Sequence, residues 1–115
     1  MAREKRTEKR RNSPHRINVL SAVDETVMGR LVNITTGGLM FLTRDSLDEG
    51  HEVSLRIPLP ALSDGRRAID VRGRVVWTGP DSNPRYTRIG IEFVNLGAEE
   101  GYIIETVLQR LHLVG

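Results

Sequence analysis

The 115-residue sequence contains no cysteine, one tryptophan, two tyrosines and two phenylalanines. Without cysteine there is no disulfide framework, no thiolate metal site and no thiol nucleophile. No apolar run approaches the roughly 18 residues that a membrane-spanning helix needs. The opening residues, Met1-Ala2-Arg3-Glu4-Lys5, are polar with no apolar stretch behind them, so no signal peptide is read and a cytoplasmic location is expected. His15, His51 and His112 lie on separate segments without ligand spacing, so no metal site is expected. No serine sits in a nucleophile-elbow pattern and no phosphate-cradling GxxxxGK[ST] loop occurs. Nothing in the chain therefore points to an enzyme, a metal or a tightly held cofactor.

What is present is an uneven distribution of charge. Residues 1–16 carry seven basic residues (Arg3, Lys5, Arg6, Lys9, Arg10, Arg11 and Arg16) against Glu4 and Glu8, a net +5, whereas the rest of the chain is net −3. A basic segment of this kind favours an anionic partner, usually phosphate. The plainer reading is a solvated tail that aids solubility. Five arginines to two lysines favour recognition: the planar guanidinium bonds phosphate or a guanine edge through two N–H groups and also stacks on a base. Residues 1–15 hold no apolar residue after Ala2, and Pro14 lacks a backbone N–H, so they are read as a flexible basic arm preceding a domain over 16–115.

From Arg16 the pattern is that of short strands. Ile17 to Val23 is the first, Asp24-Glu25-Thr26 a hairpin turn, and Val27 to Ile34 the second. Thr35-Thr36-Gly37-Gly38 is a turn, and Leu39 to Leu42 begins a third strand. Val53, Leu55 and Ile57 alternate with polar residues, as do Ile69, Val71, Gly73 and Val75 in a long strand ending near Trp77. Gly73 inside that strand suggests a bulge or bend. Ile89, Ile91 and Phe93 make a sixth strand. Ile104, Val107, Leu108 and Leu111 then follow helical spacing, which predicts an amphipathic helix over about 98–112 docked on one end of the β-structure. Six strands and one helix point to a small closed barrel or a sandwich.

Two segments carry the candidate chemistry: the arginine arm and Asn33-Ile34-Thr35-Thr36-Gly37-Gly38. The Asn33 amide presents donors and an acceptor to a base edge, and the Thr35 hydroxyl donates to a phosphate. Gly37 and Gly38 permit positive φ, by which successive N–H groups converge on an anion. Alternatively this is an ordinary β-turn whose Asn and Thr bond their own backbone.

Arginines ahead of the first strand, then [Asp/Asn]-x-[Ser/Thr]-x-x-Gly about twenty residues on, resemble the PilZ domain family, bacterial receptors for cyclic di-GMP. The resemblance covers nearly the whole chain. It implies a mainly β fold: a six-stranded antiparallel barrel followed by a helix. It assigns Asn33, Thr35 and Gly38 to the motif, with Gly37 beside them and threonine in place of the commoner serine. Arg6-Thr7-Glu8-Lys9-Arg10 matches the family's Arg-x-x-x-Arg literally, but proximity to the first strand favours Arg10 or Arg11 with Arg16. Arg11 and Arg16 are five apart, one residue longer than the family pattern. Trp77 is a candidate contact to a guanine or to an arm arginine, or else a core or barrel-end tryptophan.

The resemblance implies a cyclic di-GMP receptor that orders its arm on ligand binding and signals to a downstream protein. Two other readings remain. One is a PilZ-like adaptor in pilus or flagellar motility that binds no nucleotide. The other is a small barrel that binds nucleic acid, which would need aromatics exposed on a strand face and a steep salt dependence.

Overall fold

In the computed structural model, residues 16–60 and 67–111 are described. They form six strands: β1 (Asn18–Ser21), β2 (Val27–Ile34), β3 (Gly38–Thr43), β4 (Glu52–Pro58), β5 (Ala68–Pro80) and β6 (Thr87–Phe93). Every pairing is antiparallel, and the order β1-β2-β3-β6-β5-β4 closes back on β1. Closure removes the exposed edges that a six-stranded open sheet would present. The strand pattern left a barrel or a sandwich open, and the six-stranded barrel that the resemblance implies is the one found.

Alternation decides which side chains fill it. Val19, Leu31, Phe41, Leu55, Ile57, Val75 and Ile89 point inward and are wholly buried. A single inward row, Ile34–Leu39–Ile91–Val75, crosses four strands in register. Burial of such side chains is the main stabilising term, at about 25 cal/mol per Å2 of apolar surface.

Two local expectations are corrected. The bulge in β5 lies at Val76, between Val75 and Trp77, and not at Gly73. Gly73 is instead a point of close approach: a Cβ there would stand 2.3 Å from Ile91 Cγ2 and 2.9 Å from the Glu92 carbonyl oxygen. The helix is also shorter than the periodicity indicates. Helix α1 covers Ala98–Thr106, Val107 caps it with φ widened to −118°, and Leu108–Arg110 form a 3-10 turn. Thr106 and Val107 are β-branched, which weakens the last turn, and the Thr106 hydroxyl donates to the Tyr102 carbonyl. The break still delivers Leu108 to the core, where it is buried with Ile103 and Ile104. The helix therefore docks on the barrel as expected, through a bent path. No helix among the described residues is long and apolar enough to cross a membrane.

Candidate functional site

The outer face of the barrel places the sequence motif. Asn33 pairs with Met40, Met40 with Gly90, and Gly90 with Trp77, so these four residues form one transverse row over β2, β3, β6 and β5. Asn33 and Trp77 are both exposed, and Gly90 contributes no side chain between them. A shallow groove of about 300 Å3 follows this row, lined by Asn33, Thr35, Gly37, Gly38, Val76 and Glu92 among others. Asn33 reaches the outer face because β2 carries a bulge at Val32. The bulge shifts alternation by one residue and sends both Leu31 and Ile34 inward.

The turn that follows is built from its own polar groups. The Gly37 N–H donates to Thr35 Oγ1 at 3.1 Å, and the Thr35 N–H donates to the Gly38 carbonyl at 2.8 Å. The backbone-bonded turn is thus present, but it uses only the acceptor side of the Thr35 hydroxyl. Its proton remains directed by rotation alone, and Thr35 is exposed. Neither Gly37 nor Gly38 has positive φ; among the described glycines only Gly50 does. The expected anion nest from left-handed glycines is therefore not the arrangement found. Gly38 is required for a different reason. A Cβ on it would stand 2.0 Å from the Ile91 carbonyl oxygen, backbone against backbone. Gly37 faces open space apart from Thr35 Oγ1 at 3.6 Å.

Trp77 is 43% exposed and is not a core residue. Its ring folds along its own strand over Gly79, where a Cβ would meet Cζ2 at 2.6 Å. It shares the outer row with Asn33, but Val76 beside it, and not Trp77, lines the groove. Glu92 places a carboxylate on the groove wall opposite Gly38, and Arg74 lies 3.9 Å from that carboxylate. Sequence reasoning missed Val76 and Glu92, because only the β5 bulge and the β3–β6 register bring them to the motif.

The arm, residues 1–15, lies outside the described residues, Arg6, Arg10 and Arg11 with it, and of the candidate arginines only Arg16 is described. Arg16 is exposed and lines a different concavity, with Arg30 and Arg44. The next residue, Ile17, accepts a hydrogen bond from the Leu31 N–H at 2.8 Å, so the chain enters β1 beside β2 just before Asn33. Among the described residues no group of His, Asp or Glu is disposed to hold a metal. His51 is exposed, and His15 and His112 lie outside the described residues. Phe41 is buried, and among the described residues Trp77 is the aromatic that stands exposed on a strand.

Known proteins with this architecture carry the comparison further. The chain is similar in fold to the Bacillus subtilis inhibitor of motility MotI (DgrA), with a TM-score of 0.65 and 21% identity over 85% of this chain. That match covers 46% of the MotI chain, so this sequence spans under half of its length. It is also similar to the PilZ domain of Escherichia coli YcgR, solved with c-di-GMP, with a TM-score of 0.61 and 13% identity over 86% of this chain and 82% of the other. No curated protein gives a significant match. The family model for the PilZ domain matches residues 4–111, which takes in most of the arm, all six strands and the helix. The chain belongs to the PilZ domain family.

Proposed function

We propose that this chain is a cyclic di-GMP receptor in which the Asn33–Gly38 turn and the arginine arm hold the ligand between them. The observation that carries the reading is the placement of the motif. Asn33 and Thr35 open onto one outer groove of the barrel, and the chain enters β1 beside them at Ile17. The Asn33 amide reads a guanine edge, and the free proton of the Thr35 hydroxyl serves a phosphate oxygen. Arg10 or Arg11, with Arg16 and with Arg6 as the literal motif partner, supplies the guanidiniums that bracket phosphate and base. Trp77 lies in the same row as Asn33, within reach of a base that extends along it.

The chain acts in this reading as a binding module and not as a catalyst. Closing the arm over the ligand converts occupancy into a new surface for a downstream protein, with no membrane span required. A cytoplasmic setting fits such a role, since it gives access to a soluble second messenger. Nucleic acid is disfavoured because, among the described residues, the strand faces present no exposed aromatic apart from Trp77.

Calorimetric titration of the full chain with cyclic di-GMP tests the reading. Saturable heat is expected, with Asn33→Ala weakening binding by about 10- to 100-fold, the loss of one bidentate base contact. Arg10→Ala and Arg11→Ala should weaken it as well, Arg3→Ala little, and Trp77 emission should change on binding. No heat with ligand at tens of micromolar rejects the receptor reading. In that event the second reading stands: an adaptor without nucleotide. The longer Arg11–Arg16 spacing and the likeness to an inhibitor of motility both favour it.

A further inference from the structure

The barrel carries a second, larger concavity on its outer face. A cleft of about 610 Å3 is bounded by β1, β2, β3 and the β5–β6 loop, and it shares no lining residue with the Asn33 groove. Its polar walls are Arg16, Asn18, Arg30, Arg44, Asp45 and Tyr86. Three guanidiniums thus face one carboxylate. Register assembles the floor: Asn18 pairs with Arg30, and Arg30 with Leu42. Leu42 faces outward yet is 3% exposed, lying between Arg30 and Arg88 on the neighbouring strands.

The cationic character is unspent. Arg56, Arg72, Arg74 and Arg88 each have a carboxylate within 4 Å. Arg16, Arg30 and Arg44 have none among the described residues, and the Nε of Arg30 is buried without any hydrogen-bond partner. A buried donor on a charged group is costly to leave unpaired, and such atoms in native proteins usually answer to a ligand, ion or water. The Arg44 guanidinium lies 5.8 Å from the centre of the Tyr86 ring, which holds it to the cleft wall. Tetrahedral phosphate offers several acceptor oxygens at once and matches forked donors converging from separate strands.

We propose that this cleft is a second ligand site, which binds a phosphate group either as the free anion or as part of a nucleotide. Arg30 Nε and the Arg44 guanidinium contact its oxygens. The site stands independently of cyclic di-GMP binding at Asn33.

The test is a titration of the full chain with inorganic phosphate, at ionic strength held constant with chloride, followed by arginine Nε–Hε and backbone amide resonances. A saturable downfield shift of the Arg30 Nε–Hε signal is expected, together with shifts at Leu42, Thr43 and Arg44. The amides of Asn33 to Gly38 should stay in place. Arg30→Lys keeps a positive charge but removes the buried Nε–H, and it should weaken phosphate binding by about tenfold or more. Arg44→Gln lies on the exposed rim and should do the same, so the test survives if the Arg30 variant does not fold. Guanosine monophosphate binding more tightly than phosphate identifies a nucleotide, and equal affinity identifies the free anion. The proposal is overturned if chloride reproduces the shifts, if no shift saturates, if the Asn33–Gly38 amides move instead, or if Arg44→Gln binds phosphate unchanged.

Discussion

The two glycines of the motif turn differ in what they do, and replacing each with alanine separates packing from conformational freedom. At Gly38 the new Cβ would start 2.0 Å from the Ile91 carbonyl oxygen, 3.1 Å from its carbon and 3.2 Å from Glu92 Cα. All three atoms are backbone, so no side-chain rotation relieves the clash. The end of β3 must move away from β6 by about 1 Å to restore an allowed contact. That movement works against two hydrogen bonds beside it, Thr35 N–H to the Gly38 carbonyl at 2.8 Å and Phe93 N–H to the Gly37 carbonyl at 3.0 Å. Overpacking costs about 1–3 kcal/mol and each lost hydrogen bond about 1 kcal/mol, so Gly38→Ala should destabilise by about 3–5 kcal/mol. For a domain of this size that is a large share of a total near 5–15 kcal/mol, with a fall in Tm of about 10–20 °C or more. At Gly37 the same substitution meets only Thr35 Oγ1 at 3.6 Å, and φ is not positive. Gly37→Ala should therefore be neutral or stabilising by up to about 1 kcal/mol, through a less flexible unfolded chain. Urea denaturation of the two variants beside the parent gives both values. Equal losses at the two positions, or a larger loss at Gly37, would refute the packing argument and restore a requirement for left-handed backbone.

Two further perturbations test other parts of the fold. The Asp81 carboxyl is held below its ordinary value, first by the Asn83 backbone N–H and then by the Arg88 side chain, whose Nε lies 2.8 Å away. A carboxylate with a depressed folded pKa stabilises above its unfolded value of 3.8, and that contribution disappears as pH falls through the lower folded value. The β5–β6 loop should accordingly loosen on acidification below about pH 4, and Asp81→Asn should flatten that part of the stability–pH curve. Acid limbs of equal depth in the two proteins would argue against it. Ile104 is wholly buried whereas Tyr102 on the same helix is 66% exposed. Ile104→Ala should cost about 2–5 kcal/mol and Tyr102→Ala less than about 0.5 kcal/mol in chemical denaturation, and similar costs would mean that α1 is not docked as described.

Strands were legible wherever burial is one-sided. Val53-Ser54-Leu55-Arg56-Ile57 alternates because one face fills the barrel and the other meets water, and β4 was found over Glu52–Pro58. The β2 boundaries, Val27–Ile34, likewise follow from apolar residues held between two turns. Bulges escaped this reading, because a bulge is a mismatch between two strands and has no signature in one of them. Gly73 attracted the expectation on its residue type, while the inserted residue at Val76 is an ordinary strand former. The helix was overextended for a related reason. Ile104, Val107, Leu108 and Leu111 keep helical spacing even though the backbone turns at Val107, since a 3-10 turn also returns Leu108 to the core.

The candidate site divides along the same line. Asn33, Thr35, Gly37 and Gly38 are neighbours in sequence, so the groove they line was visible before the fold was known. Arg16, Arg30, Arg44 and Tyr86 span seventy positions and become neighbours through strand pairing and the turn into β6. Gly38 adds a caution about what a motif position means. Its glycine is demanded by the Ile91 carbonyl whether or not a ligand binds, so retention of Gly38 is evidence for the barrel and not for the nucleotide. Asn33 and Thr35 are different. Both are exposed, neither is buried in the core, and the Thr35 hydroxyl keeps a donor that the turn does not use. A reading of ligand binding in this chain therefore leans on those two side chains and not on Gly38. A barrel that keeps Gly38 but loses Asn33 should fold normally and, on the receptor reading, bind cyclic di-GMP about 10- to 100-fold more weakly.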